Sequence, residues 1–224
     1  MNKLTKLSFL LFLIAGLSSS LAQAQTNSDN ELWTSVELGY KVNKKLNFEF
    51  REMLRLKEDY SEIDQYYSQL STEYRFAKSL SFTAGYRFIR KNDNKGKIQG
   101  YENLGRLQFD LKYRQNFDRF KMRYRFRYQN KQNYTKTDEY QNAVRFKATS
   151  AYNIRNWKLD PKLAYEYFIP TNTGDNRYRV TLSTVYKLKN AGALHFAYSY
   201  EREVGSLIPD VVNSLRLKYH FDLK

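Results

Sequence analysis

Cysteine is absent from the 224 residues, and the chain has only two histidines, two tryptophans and three prolines. Without cysteine there is no disulfide framework, no thiolate metal site and no lipidated N-terminal cysteine. The two histidines, His195 and His220, have no clustered carboxylate pattern beside them, so no metal ligand set is expected. No Gly-rich phosphate loop occurs, and no cofactor is expected. Three prolines and nine glycines exclude collagen-like and linker-like chains. After residue 25 no window carries an apolar helical stripe or a long apolar run, which argues against helical folds and spanning helices.

What the chain does have is tyrosine, phenylalanine and positive charge: Tyr 20, Phe 15 and a formal net charge of +15. Tyrosine suits surroundings that are apolar along the ring and wet at the hydroxyl, as at a membrane–water boundary. The charge points to anionic partners. The start of the chain sets the compartment. MNKLTK supplies Lys3 and Lys6, LSFLLFLIAGL is apolar, and SSSLAQA ends on Ala22 and Ala24 in A-x-A spacing. This reads as a secretory signal peptide over 1–24, since the apolar run falls short of the ~20 residues of a spanning helix. Export argues against nucleic acid as a partner.

The stretch FKMRYRFRYQNK (120–131) shows the governing pattern. Even positions up to Tyr128 are apolar or aromatic, and odd positions through Arg127 are Lys or Arg. A period of two is that of an extended strand with two unlike faces. The same alternation recurs at 32–42, 46–57, 66–76, 80–91, 101–114, 139–152, 157–169, 177–188, 193–203 and 212–223. These segments are longer than the roughly 5–6 residues usual in soluble proteins and fit the 9–11 or more that cross a bilayer at a tilt. The connections alternate as well. VNKKL, FAKSL, QNFDRF, YNIRNW and LKNAGA read as tight turns, and KEDYSEIDQ, KNDNKGKIQG, QNYTKTDE, IPTNTGDN and EVGSLIPDV read as longer loops. The expected fold is all-β: one antiparallel transmembrane up-and-down β-barrel over 32–224, with ten to twelve strands, short periplasmic turns and longer extracellular loops. Counting eleven strands leaves the N-terminus on the opposite side from the C-terminus. That requires the polar segment 25–31 to climb back through or beside the lumen, or a strand to be split or missed.

On the apolar face only Glu52, Arg90 and Arg202 carry charge. Arg90 and Arg202 fall near loop ends, where arginine can meet lipid phosphate. Glu52 is mid-strand, and a β-bulge at Glu52–Met53 is one way to move it off the lipid side. The opposite face holds more Lys and Arg than Asp and Glu can neutralise. Its densest part is a ladder of Lys121, Arg123, Arg125 and Arg127, preceded by Arg106, Lys112 and Arg114 and followed by Arg145 and Lys147. Pairing with Glu102, Asp110, Glu139 and Glu166 would close such a lumen, but the excess positive charge requires water or anions. A wet, positive lumen is that of an anion-favouring pore for small anionic solutes. A closed structural or adhesive barrel is the alternative. A membrane-embedded lipid hydrolase would need His195 or His220 beside Ser199, Ser214 and Glu201, with the site at the outer rim; the chain is not expected to be an enzyme, and no catalytic residue is assigned.

Two stretches carry a resemblance. SLRLKYHFDLK at the C-terminus is similar to the terminal signal by which barrel-assembly machinery recognises its clients, although three residues follow Phe221. ELWTSVELGYKVNKKLNFEFREMLR, with Trp33, the turn Asn43–Lys45 and Arg51 or Arg55, resembles an uncharacterised bacterial outer-membrane β-barrel family, domain of unknown function 2490. The resemblance implies a barrel embedded in outer-membrane lipid; it implies no activity.

Overall fold

The computed structural model describes residues 26–94, 100–135, 140–172, 174–189 and 191–223. The expected signal peptide and Glu139 lie outside these residues. Period-two alternation produces strands throughout: β1 (Asn27–Lys41), β2 (Leu46–Lys57), β3 (Glu62–Arg75), β4 (Leu80–Asp93), β5 (Gly100–Phe117), β6 (Phe120–Asn133), β7 (Tyr140–Tyr152), β8 (Lys162–Pro170), β9 (Asn176–Lys187), β10 (Ala193–Val204) and β11 (Asp210–Leu223). They form one closed barrel in chain order, each strand antiparallel to the next. The expected all-β barrel is therefore the fold, with a strand number inside the expected range. Because the number is odd, the ring closes on a parallel pair, β1 against β11, in register from Asn27↔Asp210 to Tyr40↔Leu223.

That closure corrects the reading of residues 25–31 as a separate climbing segment. Asn27 to Glu31 are already strand and pair with Asp210 to Ser214. The physical reason is the edge: β11 would otherwise expose a row of unpaired N–H and C=O groups, and the start of the chain satisfies them.

The connections depart from the expected sorting most at two places, and 171–175 and 205–209, read as longer loops, match the 188–192 turn in length. Residues 58–61 join β2 to β3 in four residues, with Glu58, Asp59 and Tyr60 all left-handed at φ of 52°, 53° and 70°. Asn30 Nδ2 donates to Asp59 Oδ1 at 2.6 Å and ties this turn to β1. In contrast, 153–161 is a long connection, because Pro161 has no N–H to give a ladder and β8 starts only at Lys162. Asp160 organises it, accepting from Asn153 Nδ2 at 3.1 Å and Ile154 N at 3.0 Å. Trp157 thus belongs to this connection and not to a strand. In the expected Lys-rich tight turn, Asn43 Oδ1 accepts from the N–H groups of Lys45 and Leu46 at 2.8 and 2.9 Å, an Asx-type turn.

Polarity is inverted relative to a water-soluble domain. The most fully buried side chains are Asp110, Ser81, Ser199 and Ser214, and large apolar groups such as Leu70, Leu107, Phe126, Phe146, Leu163 and Leu182 are exposed on the outside. Aromatic neighbours cover the outer wall across strands, including Phe82–Phe109, Tyr113–Tyr124, Phe126–Phe146 and Tyr165–Tyr178. An exposed apolar surface of this extent is far larger than the patches usual on monomeric soluble proteins. Inside, the apolar packing among the described residues is small: Tyr67, Ile89 and Leu104, with Met53 against them.

The Glu52–Met53 bulge is not there. Glu52 pairs in regular register with Val36 and Ser68 and stays exposed on the outer face. Met53 points inward, held by the Tyr67 cluster. The irregularity lies one turn of the pleat further on, between Arg55 and Leu56, where β3 inserts the extra residue Asp64.

Candidate functional site

The inner faces of the strands enclose a cavity of about 850 Å³. Alternation places all nine ladder residues on this inner side. Arg106, Lys112, Arg123, Arg125, Arg127, Arg145 and Lys147 line the cavity, and Arg114 and Lys121 line a smaller recess with Arg123 towards the rim at which β11 ends. Register sets like charges directly opposite one another: Arg114↔Arg123, Lys112↔Arg125, Arg125↔Lys147 and Arg127↔Arg145. Such pairs repel unless something neutralises them.

Over β5 to β10 carboxylates do so. Arg127 forks onto Asp110, with Nε–Oδ1 at 2.6 Å and Nη2–Oδ2 at 2.7 Å. Glu166 on β8 accepts from Arg145 on one side at 2.7 Å and from Arg125 two strands away, and Arg179 stands 3.6 Å off. Arg179 also pairs with Glu201, and Arg177 with Glu203. Asp110 and Glu166 are each only 2% exposed, so these are desolvated pairs that hold neighbouring strands in register. Lower in the lumen Glu73 takes Lys112 and Arg114, both at 2.6 Å. Glu37 takes Arg51, Lys218 at 2.9 Å and His220 at 2.8 Å.

A different arrangement covers the remaining arc, from β11 through β1 to β5. Strand tilt brings residues to one height that are not register partners, and the ring contacts identify that height. The Trp33 indole is clasped by two guanidinium groups, Arg55 and Arg216, each 3.7 Å from the ring centroid. Trp33 also reaches to within 5.2 Å of Arg179, three strands round the wall. Arg87 lies 3.6 Å over the Tyr67 ring, with Arg55 6.0 Å away on that ring. Arg87 Nε and Nη2 both donate to Gln69 Oε1, at 2.9 and 2.6 Å, and its register partner across β4–β5 is Arg106. Among the described residues, no carboxylate lies within ion-pair distance of Arg55, Arg87, Arg106 or Arg216. Arg106 Nε and Arg216 Nη2 are buried without an acceptor among those residues.

Arg55, Arg87 and Arg216 were not singled out by the ladder pattern. Their strand faces were readable from alternation, but their common height depends on the tilt and shear of the closed barrel, which no local pattern encodes. The contact between Trp33 and Arg55 joins two residues of the motif that carried the family resemblance.

Arg90 and Arg202 sit on the outer face near the rim at which β1 begins. Arg90 approaches the rings of Tyr101 and Tyr66 at 5.1 and 5.7 Å, and Arg202 pairs in register with Tyr178 and Val211. His195 and His220 face inward with ring centroids 6.4 Å apart. Ser199 Oγ bonds Thr181 at 2.9 Å, and Ser214 Oγ accepts from Arg216 at 3.1 Å, so neither hydroxyl is engaged by a histidine. Glu102 accepts from Asn133 at 3.4 Å.

No curated protein matches the chain. The model of a family described as "Protein of unknown function (DUF2490)" matches residues 30–206, which spans β1 through β10, and the chain belongs to this family.

Proposed function

We propose that this barrel is an outer-membrane protein, exported through a cleaved signal peptide and inserted by barrel-assembly machinery, whose lumen is a narrow water-filled pore favouring small anionic solutes. The observation that carries the reading is the set of lumenal arginines without a carboxylate partner, facing a cavity of about 850 Å³. Cations in such a lumen concentrate anions and repel other cations, and low-dielectric walls strengthen the effect. The apolar outer wall supplies the lipid-facing surface, with Arg90 and Arg202 placed to meet lipid phosphate at one rim.

A closed barrel without conductance is the second reading. It is favoured by the approach of Arg179 to the Trp33 ring from three strands round the wall, and by the Arg125–Glu166 bond that bridges over β7. Reversal potentials in planar bilayers across a salt gradient decide between them. The pore reading expects anion preference, weakening as salt shortens the screening length towards ~3 Å at 1 M. Arg127 is not a suitable residue to remove, because Asp110 would be left buried and unpaired. Lys121→Gln with Arg123→Gln is the better variant: neither residue has a carboxylate partner among those described, so assembly is expected to survive while anion preference falls. A correctly folded barrel that never conducts leaves the closed reading.

A further inference from the structure

The arc from Arg216 to Arg106 has the composition of a binding site and not of a strut. Its order round the wall is Arg216, Trp33, Arg55, Tyr67, Arg87: guanidinium groups alternate with aromatic rings, and Arg106 stands opposite Arg87 at the end. Stacking on a ring orients a guanidinium and offsets part of its desolvation, but it supplies no opposite charge and leaves the N–H edges unused. Arg87 gives one edge to Gln69 and keeps its other N–H groups. Arg216 gives Nε to Ser214 and keeps Nη2. Arg106 makes no hydrogen bond within the described residues: its Nε is buried without a partner, and the residue borders the cavity beside Arg87.

We propose that Arg106, Arg87 and Arg55 form a discrete mid-lumen binding site for multivalent oxyanions, with Arg106 as the bidentate anchor and the Trp33–Tyr67 rings holding its neighbours in place. The chemistry fits phosphoryl or carboxylate groups, whose paired oxygens match the guanidinium fork. Arg87 and Arg106 stand directly opposite one another with no carboxylate in ion-pair distance among the described residues, which favours a ligand with two or more negative charges over a monovalent ion. The proposal rests on the reading of the lumen as reachable by solutes, and it adds a place where a solute pauses.

Trp33 provides the readout. The chain has two tryptophans, and Trp157 lies in the exposed 153–161 connection, so Trp157→Phe leaves Trp33 as the reporter inside the site. Detergent-solubilised barrel of this variant is titrated at constant ionic strength with sodium pyrophosphate, sodium citrate and sodium chloride in separate arms. The expected result is a saturable change in Trp33 emission with pyrophosphate, citrate or both, and none with chloride. A response to only one of the two names the group recognised. Adding Arg106→Gln is expected to weaken the apparent affinity at least about tenfold, the loss of a charge-assisted contact pair. Because Arg106 bonds no other described side chain, this variant is expected to fold, and circular dichroism checks that it has. Arg106→Lys, which keeps the charge but not the fork, is the second variant and is expected to bind more weakly than wild type. Absence of a saturable response to either polyanion, or the same affinity in folded Arg106→Gln, overturns the proposal. Binding is measured without any current, so a barrel that binds and does not conduct defeats only the pore, and one that conducts without binding defeats only this site.

Discussion

The lumen holds its arginines in two ways, and the two arcs of the wall can be compared directly. At mid-lumen from β6 to β9 the arginines have carboxylates: Arg127 has Asp110, Arg145 and Arg125 share Glu166, and Arg179 has Glu201. At mid-lumen from β11 through β1 to β4, Arg216, Arg55 and Arg87 have aromatic rings, an amide or a hydroxyl instead, whereas Arg51 on β2, lower in the lumen, pairs with Glu37. The residue type and the location are the same; what differs is the counter-charge. A guanidinium forked onto a buried carboxylate is committed to joining strands, and its removal leaves an uncompensated charge. A guanidinium against a ring is oriented but still able to accept an anion. The comparison therefore divides the mid-lumen into a part whose guanidinium groups are committed to carboxylates and a part whose guanidinium groups are not.

The sharpest way to break that division is Glu166→Gln. This one carboxylate touches Arg125 and Arg145 and stands 3.6 Å from Arg179. Its neutralisation is expected to cost about 3–5 kcal/mol of unfolding free energy, the usual result of stranding one side of a buried ion pair. Urea unfolding in detergent measures it. Arg106→Gln, on the other arc, is expected to change stability by less than about 1 kcal/mol, because no protein bond is lost. Equal costs for the two variants would erase the distinction.

A smaller effect is expected at Trp33. Trp33→Leu removes two guanidinium–indole contacts, each worth roughly 0.5–2 kcal/mol depending on exposure, so a loss of about 2 kcal/mol is expected in the same unfolding assay. The arcs meet at Arg179, which pairs with Glu201, approaches Glu166 and faces Trp33. Combining Trp33→Leu with Glu166→Gln tests whether they are separate. Additivity within about 0.5 kcal/mol means independent arcs; a larger departure means that Arg179 couples them.

How much of this was legible in the sequence follows from the range of each interaction. Alternation is local, so strand existence, the inward ladder from Lys121 to Arg127 and the outward Arg90 and Arg202 could be read residue by residue. Strand ends were less readable, since Pro161 shortened β8 and three left-handed residues at 58–60 made a loop into a tight turn. The odd strand number was already present in the count, but parallel closure with Asn27–Glu31 as strand is a property of the ring. The arginine–aromatic arc was out of reach, because it joins strands far apart in sequence at a height fixed by barrel shear. Ion pairs such as Arg125–Glu166 are non-local in the same sense.

The smallest expected effect lies outside both arcs and tests the surface they are compared against. Glu52 is exposed on the outer face, between Val36 and Ser68, in the middle of a strand whose other outward residues are Phe48, Phe50, Leu54 and Leu56. On a lipid-facing wall a mid-strand Lys or Arg costs roughly 2–4 kcal/mol at the bilayer midplane, and an acidic residue costs less. Glu52→Leu is therefore expected to stabilise the barrel by about 1 kcal/mol when it is refolded into lipid vesicles. Because neither register neighbour is charged, the substitution breaks no ion pair, and against lipid it would remove the desolvation cost of a carboxylate. The same change at Glu166, also a carboxylate in the middle of a strand, is expected to have the opposite sign. A loss of stability or of assembly in Glu52→Leu would show that the carboxylate has a partner on the outer face, and that this part of the wall is not bare against lipid.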